Sequence, residues 1–432
     1  MNKIRILTIT RSPINSNDNL GSTLEMLLGN NNNIELHNVY LRSEEYNNNV
    51  CSSVYQIPEQ LLLKSFFRGI DVGNEINIVP KKINYDTSNS REKRIYGFAK
   101  KFNLYSFWLI RELVWFIGRW KNDNFKHYLE KVKPDIIFFV SFNSWYTYNV
   151  LNFIKKNNNS KLVVYHVDDN YSINRFNISP FYWFYKHKLR RLICGISKKA
   201  DLNYCISDMQ KEKYERLFNI KCSLLQKTAC FGDMSNKIIS YPLKIVFTGN
   251  ISSGRWETLS LLGKTLDALN SKQEKAYLEI YTQTQLTKKM KKYLSCSSIR
   301  KIEPAFSDDI PAIQKSADIL VHVESFKRKY INDVKFSFST KIVDYLSRCK
   351  AILAIGPVCD ASINYFLKNN IGIPITNISE LPNRLSTLID DLSFIKRNAL
   401  ESFLVAKNMH DLSIVSTKLV NDLRKICSSN RE

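Results

Sequence analysis

The sequence predicts an α/β protein of two similar domains, each a parallel sheet wrapped by helices. Three observations carry that expectation. Short apolar runs, of the kind a strand buried on both faces requires, recur along the chain: Lys3–Thr10 (KIRILTIT), Pro134–Val140 (PDIIFFV), Lys161–Val167 (KLVVYHV), Lys244–Thr248 (KIVFT) and Ala351–Ile355 (AILAI). Polar loops and segments of helical period alternate with them, the order of a nucleotide-binding α/β unit. The 432 residues suffice for two or three domains. Turn formers crowd between Ala229 and Leu243 (Gly232, Asp233, Ser235, Asn236, Pro242) and mark an interdomain linker.

Charge narrows the partners. The formal net charge is +23, a field that favours anionic ligands: polyphosphate substrates, an anionic membrane or nucleic acid. The chain is also rich in Asn and Lys (Asn30 to Asn33, Asn47 to Asn49, Asn157 to Asn159), a bias that raises charge without a function. Nine cysteines lie scattered with no CxxC pair and no His/Cys spacing of a zinc site, so no metal is expected. A reduced, cytoplasmic compartment is the simplest account of them. The chain opens on a strand and not on a signal-peptide pattern, and no apolar run reaches the roughly 18 residues of a spanning helix. The expectation is a soluble or peripheral protein, cytoplasmic or at the inner face of the cell membrane.

In the first half, Lys3–Thr10 is followed by the polar loop Arg11–Gly21 and a helix over Ser22–Leu28. Gly21 is the only glycine of that loop, so no dinucleotide fingerprint is present. Ile34–Leu41 alternates as a second strand. In Ser88–Trp120, basic residues (Arg91, Lys93, Arg94, Lys100, Lys101, Arg111, Arg119) interleave with aromatic ones, and Phe181–Lys199 repeats the theme. Such segments lie in the headgroup layer of an anionic bilayer, or are core helices with a solvated basic face. No RNP, KH or zinc-finger pattern accompanies them, so a nucleic-acid partner is not expected. The strand Lys161–Val167 carries His166 at its end, with Asp168 and Asp169 following. Polar residues at the carboxyl end of a parallel strand are predicted to face the ligand crevice.

In the second half, Lys244–Thr248 runs into Gly249-Asn250-Ile251-Ser252-Ser253-Gly254-Arg255, and a helix over Leu259–Leu269 follows. Strand, glycine loop and helix in this order make a phosphate cradle. Lys335–Pro357 (KFSFSTKIVDYLSRCKAILAIGP) reads as loop, helix, strand and turn. Ser339 or Thr340 can cap the helix, since each offers a side-chain oxygen to unpaired backbone N–H groups. With Lys341, that helix start is a seat for a diphosphate.

These motifs resemble the donor half of GT-B glycosyltransferases, especially the large retaining family 4. The passage around Asp344-Tyr345-Leu346 is similar to that family's second motif Glu and the helix after it. "IPAIQKSADILVHV" (residues 310–323) is similar to its run before the donor segment, and "ADLNYCIS" (residues 200–207) to the passage that closes its first domain. The resemblance implies a GT-B fold, two Rossmann-like domains facing one another across a cleft. It places an acceptor domain at 1–235, a nucleotide-sugar domain at 236–408 and a C-terminal helix at 409–432 that braces the first. It implies Arg255 and Lys341 on the donor diphosphate, with Gly249, Asn250, Ser339 and Thr340 around it. Asp344 would accept from the ribose hydroxyls and His166 would sit at the sugar. Phe336 stands eight residues before Asp344, where the resembled motif has its first Glu; Asp333 and Glu324 are the candidate replacements.

The implied activity is hexosyl transfer from a nucleoside-diphosphate sugar to a hydroxyl, with retention and with no cofactor beyond the donor substrate. The implied acceptor is a glycan or lipid-linked oligosaccharide of surface-polysaccharide synthesis. A non-catalytic partner of a glycosyltransferase and a nucleotide-sugar epimerase or phosphorylase-like enzyme are the alternatives on the same fold.

Overall fold

The computed structural model describes residues 3–14, 19–46, 49–76, 105–174, 176–232 and 239–428. The basic and aromatic positions from Arg91 to Phe102, and the linker residues Asp233, Ser235 and Asn236, lie outside them. The chain divides into two units. The first comprises residues 1–206, 210–225 and 415–432, the second residues 207–209 and 226–414.

The first unit is built on eight strands: β1 (Ile4–Thr10), β2 (Ile34–Tyr40), β3 (Ser53–Gln56), β4 (Asn74–Ile76), β5 (Ile136–Val140), β6 (Lys161–His166), β7 (Leu202–Cys205) and β8 (Cys222–Leu224). Their order is β4-β3-β2-β1-β5-β6-β7-β8, parallel except for β4. The alternation of side chains along β1 sets up a two-sided core. Leu7 and Ile9 join one apolar cluster and Ile4 and Ile6 another, which also takes in Leu419, Val420 and Leu423 of the C-terminal helix Leu412–Ser428.

Helix Tyr105–Ile117 shows how the basic-aromatic tract is used. Its inner face carries Glu112, whose buried carboxylate accepts from the backbone N–H groups of Trp145 (2.8 Å) and Tyr146 (2.7 Å) and from the Tyr185 hydroxyl (3.2 Å). These are the first N–H groups of helix Trp145–Asn157, where the N-cap residue Ser144 makes no side-chain cap of its own. A carboxylate lent by a neighbouring helix satisfies them instead. Trp115 stacks on Tyr146 at 4.5 Å, and Arg111 pairs with Glu59. The outer face presents Phe107, Ile110, Leu113 and Phe116 to solvent at three-residue spacing. Among the described residues, this tract is thus both a core helix and an exposed apolar face.

The second unit holds six parallel strands: β9 (Leu243–Thr248), β10 (Ala276–Tyr281), β11 (Ile299–Glu303), β12 (Ile319–Val323), β13 (Ala351–Ile355) and β14 (Ile373–Ile375). Their order is β11-β10-β9-β12-β13-β14. β12 and β13 are fully buried, as the apolar run of β13 requires; β12 carries His322 within its otherwise apolar run. The helix after β9 begins at Arg255, four residues earlier than its apolar periodicity suggests. Gly254 makes this turn in the left-handed region (φ 79°), where a Cβ would collide with Ser325 and the Tyr330 ring.

Candidate functional site

In the second unit the chain runs from β9 outward through β10 and β11, then returns to the other flank of β9 as β12. The point of reversal, between the carboxyl ends of β9 and β12, is where open α/β sheets bind ligands. Arg255, Glu324 and Lys341 lie near it.

β9 ends at Thr248, and Gly249 follows with φ +127°. A Cβ built on Gly249 would collide with the Lys341 ammonium, so the lysine lies directly against bare backbone. One helical turn further along Lys341–Leu346, the Tyr345 hydroxyl accepts from the Thr248 N–H (3.0 Å) and donates to its carbonyl (3.2 Å). Residues four apart share a helix face, so one short helix both ties down the end of β9 and lays a cation over the turn that follows it. The ammonium also sits 5.4 Å from the centre of the Phe247 ring. Among the described residues no carboxylate lies within ion-pair range of it.

Arg255 is held differently. Its guanidinium is clasped by Glu324, Nε to Oε2 at 3.0 Å and Nη2 to Oε1 at 2.8 Å. Glu324 follows β12 and is only 4% exposed. Burial first, and then the charges of this pair, shift the neighbouring groups. Burial by itself would lower the Arg255 pKa, but the Glu324 charge and hydrogen bonds outweigh it and the result is a rise. Burial brings Lys341 down to about 8, helped by the charge of Arg255 and opposed by Glu324 and Asp344. Burial, then Arg255 and Lys341, push His322 well below its usual value, so it is a neutral imidazole. Asp360, at the start of helix Ala361–Lys368, is raised well above the carboxylate range by burial and by Glu324, although the N–H groups of Ser362 and Ile363 donate to it. The arrangement is a spent cation, Arg255, beside an unspent one, Lys341, both at the crevice edge of the sheet.

Arg255, Lys341 and Gly249 are therefore brought together, while the other expected residues are employed elsewhere. Asn250 organises its own loop, its side-chain oxygen accepting from the Ser252 N–H (2.6 Å) and the Thr284 hydroxyl (3.2 Å). Thr340 occupies the N-cap position but makes no side-chain cap, because its backbone is already helical (φ −59°, ψ −25°). The Ser339 N–H is taken by the Ser362 hydroxyl at 3.1 Å. Thr340 therefore does not cap this helix, which is six residues long and carries Lys341 at its first position.

Asp344 turns the other way and is ion-paired with Lys227 at 2.7 and 2.8 Å. His166 is a further correction. It lies inside the first unit, 1% exposed, its Nε2 beside Asn203 (3.4 Å) and Ser197 (3.3 Å) and its ring edge-on to Tyr214. Burial takes its pKa to about 4, and its side chain belongs to the packing of β6 against β7 and helix Pro180–Lys199, not to a crevice surface. Of the two replacements for the missing motif Glu, Asp333 falls on helix Arg328–Val334 and Glu324 on Arg255.

Sequence reasoning did not single out Lys227, His322 or Asp360. Glu324, already a candidate from the sequence, directly follows β12, and Asp360 lies five residues beyond β13.

No family model matches the chain, and no curated protein matches it in sequence. Comparison of the fold does find relatives. HepE of Anabaena, solved in complex with UDP, superposes with a TM-score of 0.62 over 98% of this chain and 100% of that one, at 11% identity. A glycosyltransferase from Rickettsia africae ESF-5 superposes with a TM-score of 0.59 over the whole of both chains, at 12% identity. The fold is GT-B. TarM is also similar, with a TM-score of 0.51 and 12% identity over 69% of this chain; the match spans 57% of TarM. At these identities the likeness carries the architecture of this GT-B chain, and its chemistry must be argued from its own residues.

Proposed function

We propose that this protein is a glycosyltransferase of the hexosyl type, moving a sugar from a nucleoside-diphosphate donor to a hydroxyl acceptor. The observation that supports this reading is the Lys341 ammonium, unpaired among the described residues and laid against Gly249 at the switch point of the second sheet. A lysine desolvated this way is an anion receptor awaiting its anion. During transfer, negative charge grows on the departing diphosphate, and a fixed cation stabilises that growth without reorganising. Lys341 would supply this charge. Arg255 would contribute the N–H groups that Glu324 leaves unused, and Gly249 the close approach of backbone. Asp344 reaches a ribose only by giving up Lys227. His166, buried among Asn203, Ser197 and Tyr214, would support the strand from within. UDP bound to HepE makes a uridine nucleotide the first donor to try.

The resemblance to family 4 supports retention of configuration and an acceptor from surface-polysaccharide assembly. A lipid-linked acceptor fits a further feature of the first unit. Helices Glu59–Arg68, Tyr105–Ile117 and Pro180–Lys199 lie side by side and expose Phe66, Phe67, Ile110, Phe116, Phe181 and Phe184, with exposed Lys64, Arg68, Lys188 and Arg191 nearby. Apolar side chains flanked by cations suit an anionic membrane surface. None of the described helices is long and apolar enough to cross a membrane. A second reading, a non-catalytic partner of a glycosyltransferase, is favoured by Phe336 standing where the motif Glu would be.

One experiment separates these. UDP-, GDP- and TDP-sugars are incubated with the protein and anionic vesicles, with and without a glycan acceptor. Acceptor-dependent release of nucleoside diphosphate, with co-sedimentation on phosphatidylglycerol but not phosphatidylcholine vesicles, is the expected result. Donor binding without turnover would select the non-catalytic partner, and absence of donor binding would defeat both readings.

A further inference from the structure

The first unit has a switch point of its own. β1 has β2 on one flank and β5 on the other, so the chain reverses direction across β1. A cavity of about 190 Å³ opens at the carboxyl ends of these three strands. Each strand sends one group to it: Arg11 directly after β1, Arg42 shortly after β2 and Phe142 after β5. Ile14, Leu20 and Leu24 form much of the remaining wall.

The two arginines are only partly used by the protein. Arg11 Nη2 donates to the Ser144 hydroxyl at 2.9 Å, and its guanidinium carbon lies 4.9 Å from the centre of the Phe142 ring. Its Nε is buried with no hydrogen-bond partner among the described residues. Among the described residues Arg11 pairs with no carboxylate. Arg42 Nη1 makes two long contacts, 3.3 Å to the Ser12 hydroxyl and 3.3 Å to Glu44 Oε1, and its other N–H groups are unengaged among the described residues. A guanidinium kept only for packing would have its donors satisfied, because a buried N–H without an acceptor is unfavourable. The floor beneath is rigid. The buried Asn38 amide bridges the hydroxyls of Thr8 and Thr10, each at 2.9 Å, locking β2 to β1 just below the cavity.

We propose that this cavity is an oxyanion subsite, and that the acceptor carries a phosphate ester which it binds. The word acceptor rests on the glycosyl-transfer reading; the anion site does not. Two forked guanidiniums, of which Arg42 shares its charge with Glu44, offer a phosphate several N–H donors, and guanidinium geometry matches phosphate bidentately. The apolar wall leaves room for the group the phosphate is attached to. The site belongs to the first unit and Lys341 to the second, so one chain would present a cation at each of its two sheets: one for the leaving group and one for the incoming substrate.

The probe is glycerol 3-phosphate, compared with glycerol, titrated into the full chain in saturating UDP so that the donor subsite is filled. Calorimetry is expected to find binding of glycerol 3-phosphate and none of glycerol. Arg11→Gln and Arg42→Gln are each expected to weaken it tenfold or more, and Arg42→Lys to keep part of it. Arg42 is 40% exposed, so its replacement leaves the fold intact even where that of Arg11 does not. Equal affinity in wild type and Arg42→Gln, or equal binding of glycerol and glycerol 3-phosphate, overturns the proposal. If UDP fails to bind while glycerol 3-phosphate binds through Arg11 and Arg42, the donor reading falls and the anion subsite stands.

Discussion

Lys341→Ala is expected to slow donor turnover on the order of 10²- to 10³-fold, the usual consequence of removing one fixed donor from a developing anion, about 2.7–4 kcal/mol. The effect should appear in kcat and in kcat/KM alike, because the charge on the diphosphate grows towards the transition state. A second signature comes from its pKa of about 8 in the empty protein. Below that pH the ammonium is charged and ready. Above it the amine is neutral and must take up a proton to hold a diphosphate. UDP affinity should therefore be flat at lower pH and fall by up to roughly tenfold per pH unit above pH 8. The stability of the empty protein moves the other way. The folded pKa lies below that of an unfolded lysine, so this residue's contribution rises as pH climbs from about 8 towards the ordinary lysine range. Calorimetric titration of UDP at a series of pH values, in wild type and in Lys341→Ala, reads both effects. The same steep decline in the variant would remove Lys341 from the donor site.

Arg255→Ala is expected to do something else first: destabilise the second unit. Removing the arginine leaves Glu324, 4% exposed, as a buried carboxylate beside Asp360 with its partner gone. Breaking a buried pair from one side costs about 3–5 kcal/mol. Urea unfolding measures it. Adding Glu324→Gln to Arg255→Ala should restore much of the loss, since the stranded charge is then gone too. A stable Arg255→Ala protein with weakened UDP binding would mean that the arginine serves the ligand and not the fold. The two variants thus distinguish the cation the protein has already neutralised from the one it has kept.

The element order was legible because it rests on local patterns. β1, β5, β6, β9, β12 and β13 are apolar runs short enough to be strands and uninterrupted enough to be buried on both faces. The segments between them carry helical period. Arg255 was legible as a cation closing a glycine turn and Lys341 as a cation at a helix start. Their inequality was not, since it depends on Glu324, 69 residues along the chain from Arg255. Asp344 looked available because sequence does not reveal Lys227, 117 residues away. His166 was misread for a related reason. The end of a parallel strand usually faces a crevice, but here β7 and the long helix before it close over the ring.

The sequence by itself determined that this is an α/β chain with two parallel sheets and a surplus of positive charge, because strand burial, helix period and net charge are properties of residues near one another or of the whole. Only the tertiary structure decided which charges are spent. Ion pairing and desolvation act between side chains far apart in sequence, and they leave Arg255 bound to Glu324, Asp344 bound to Lys227, and Lys341 and Arg11 without a carboxylate partner among the described residues.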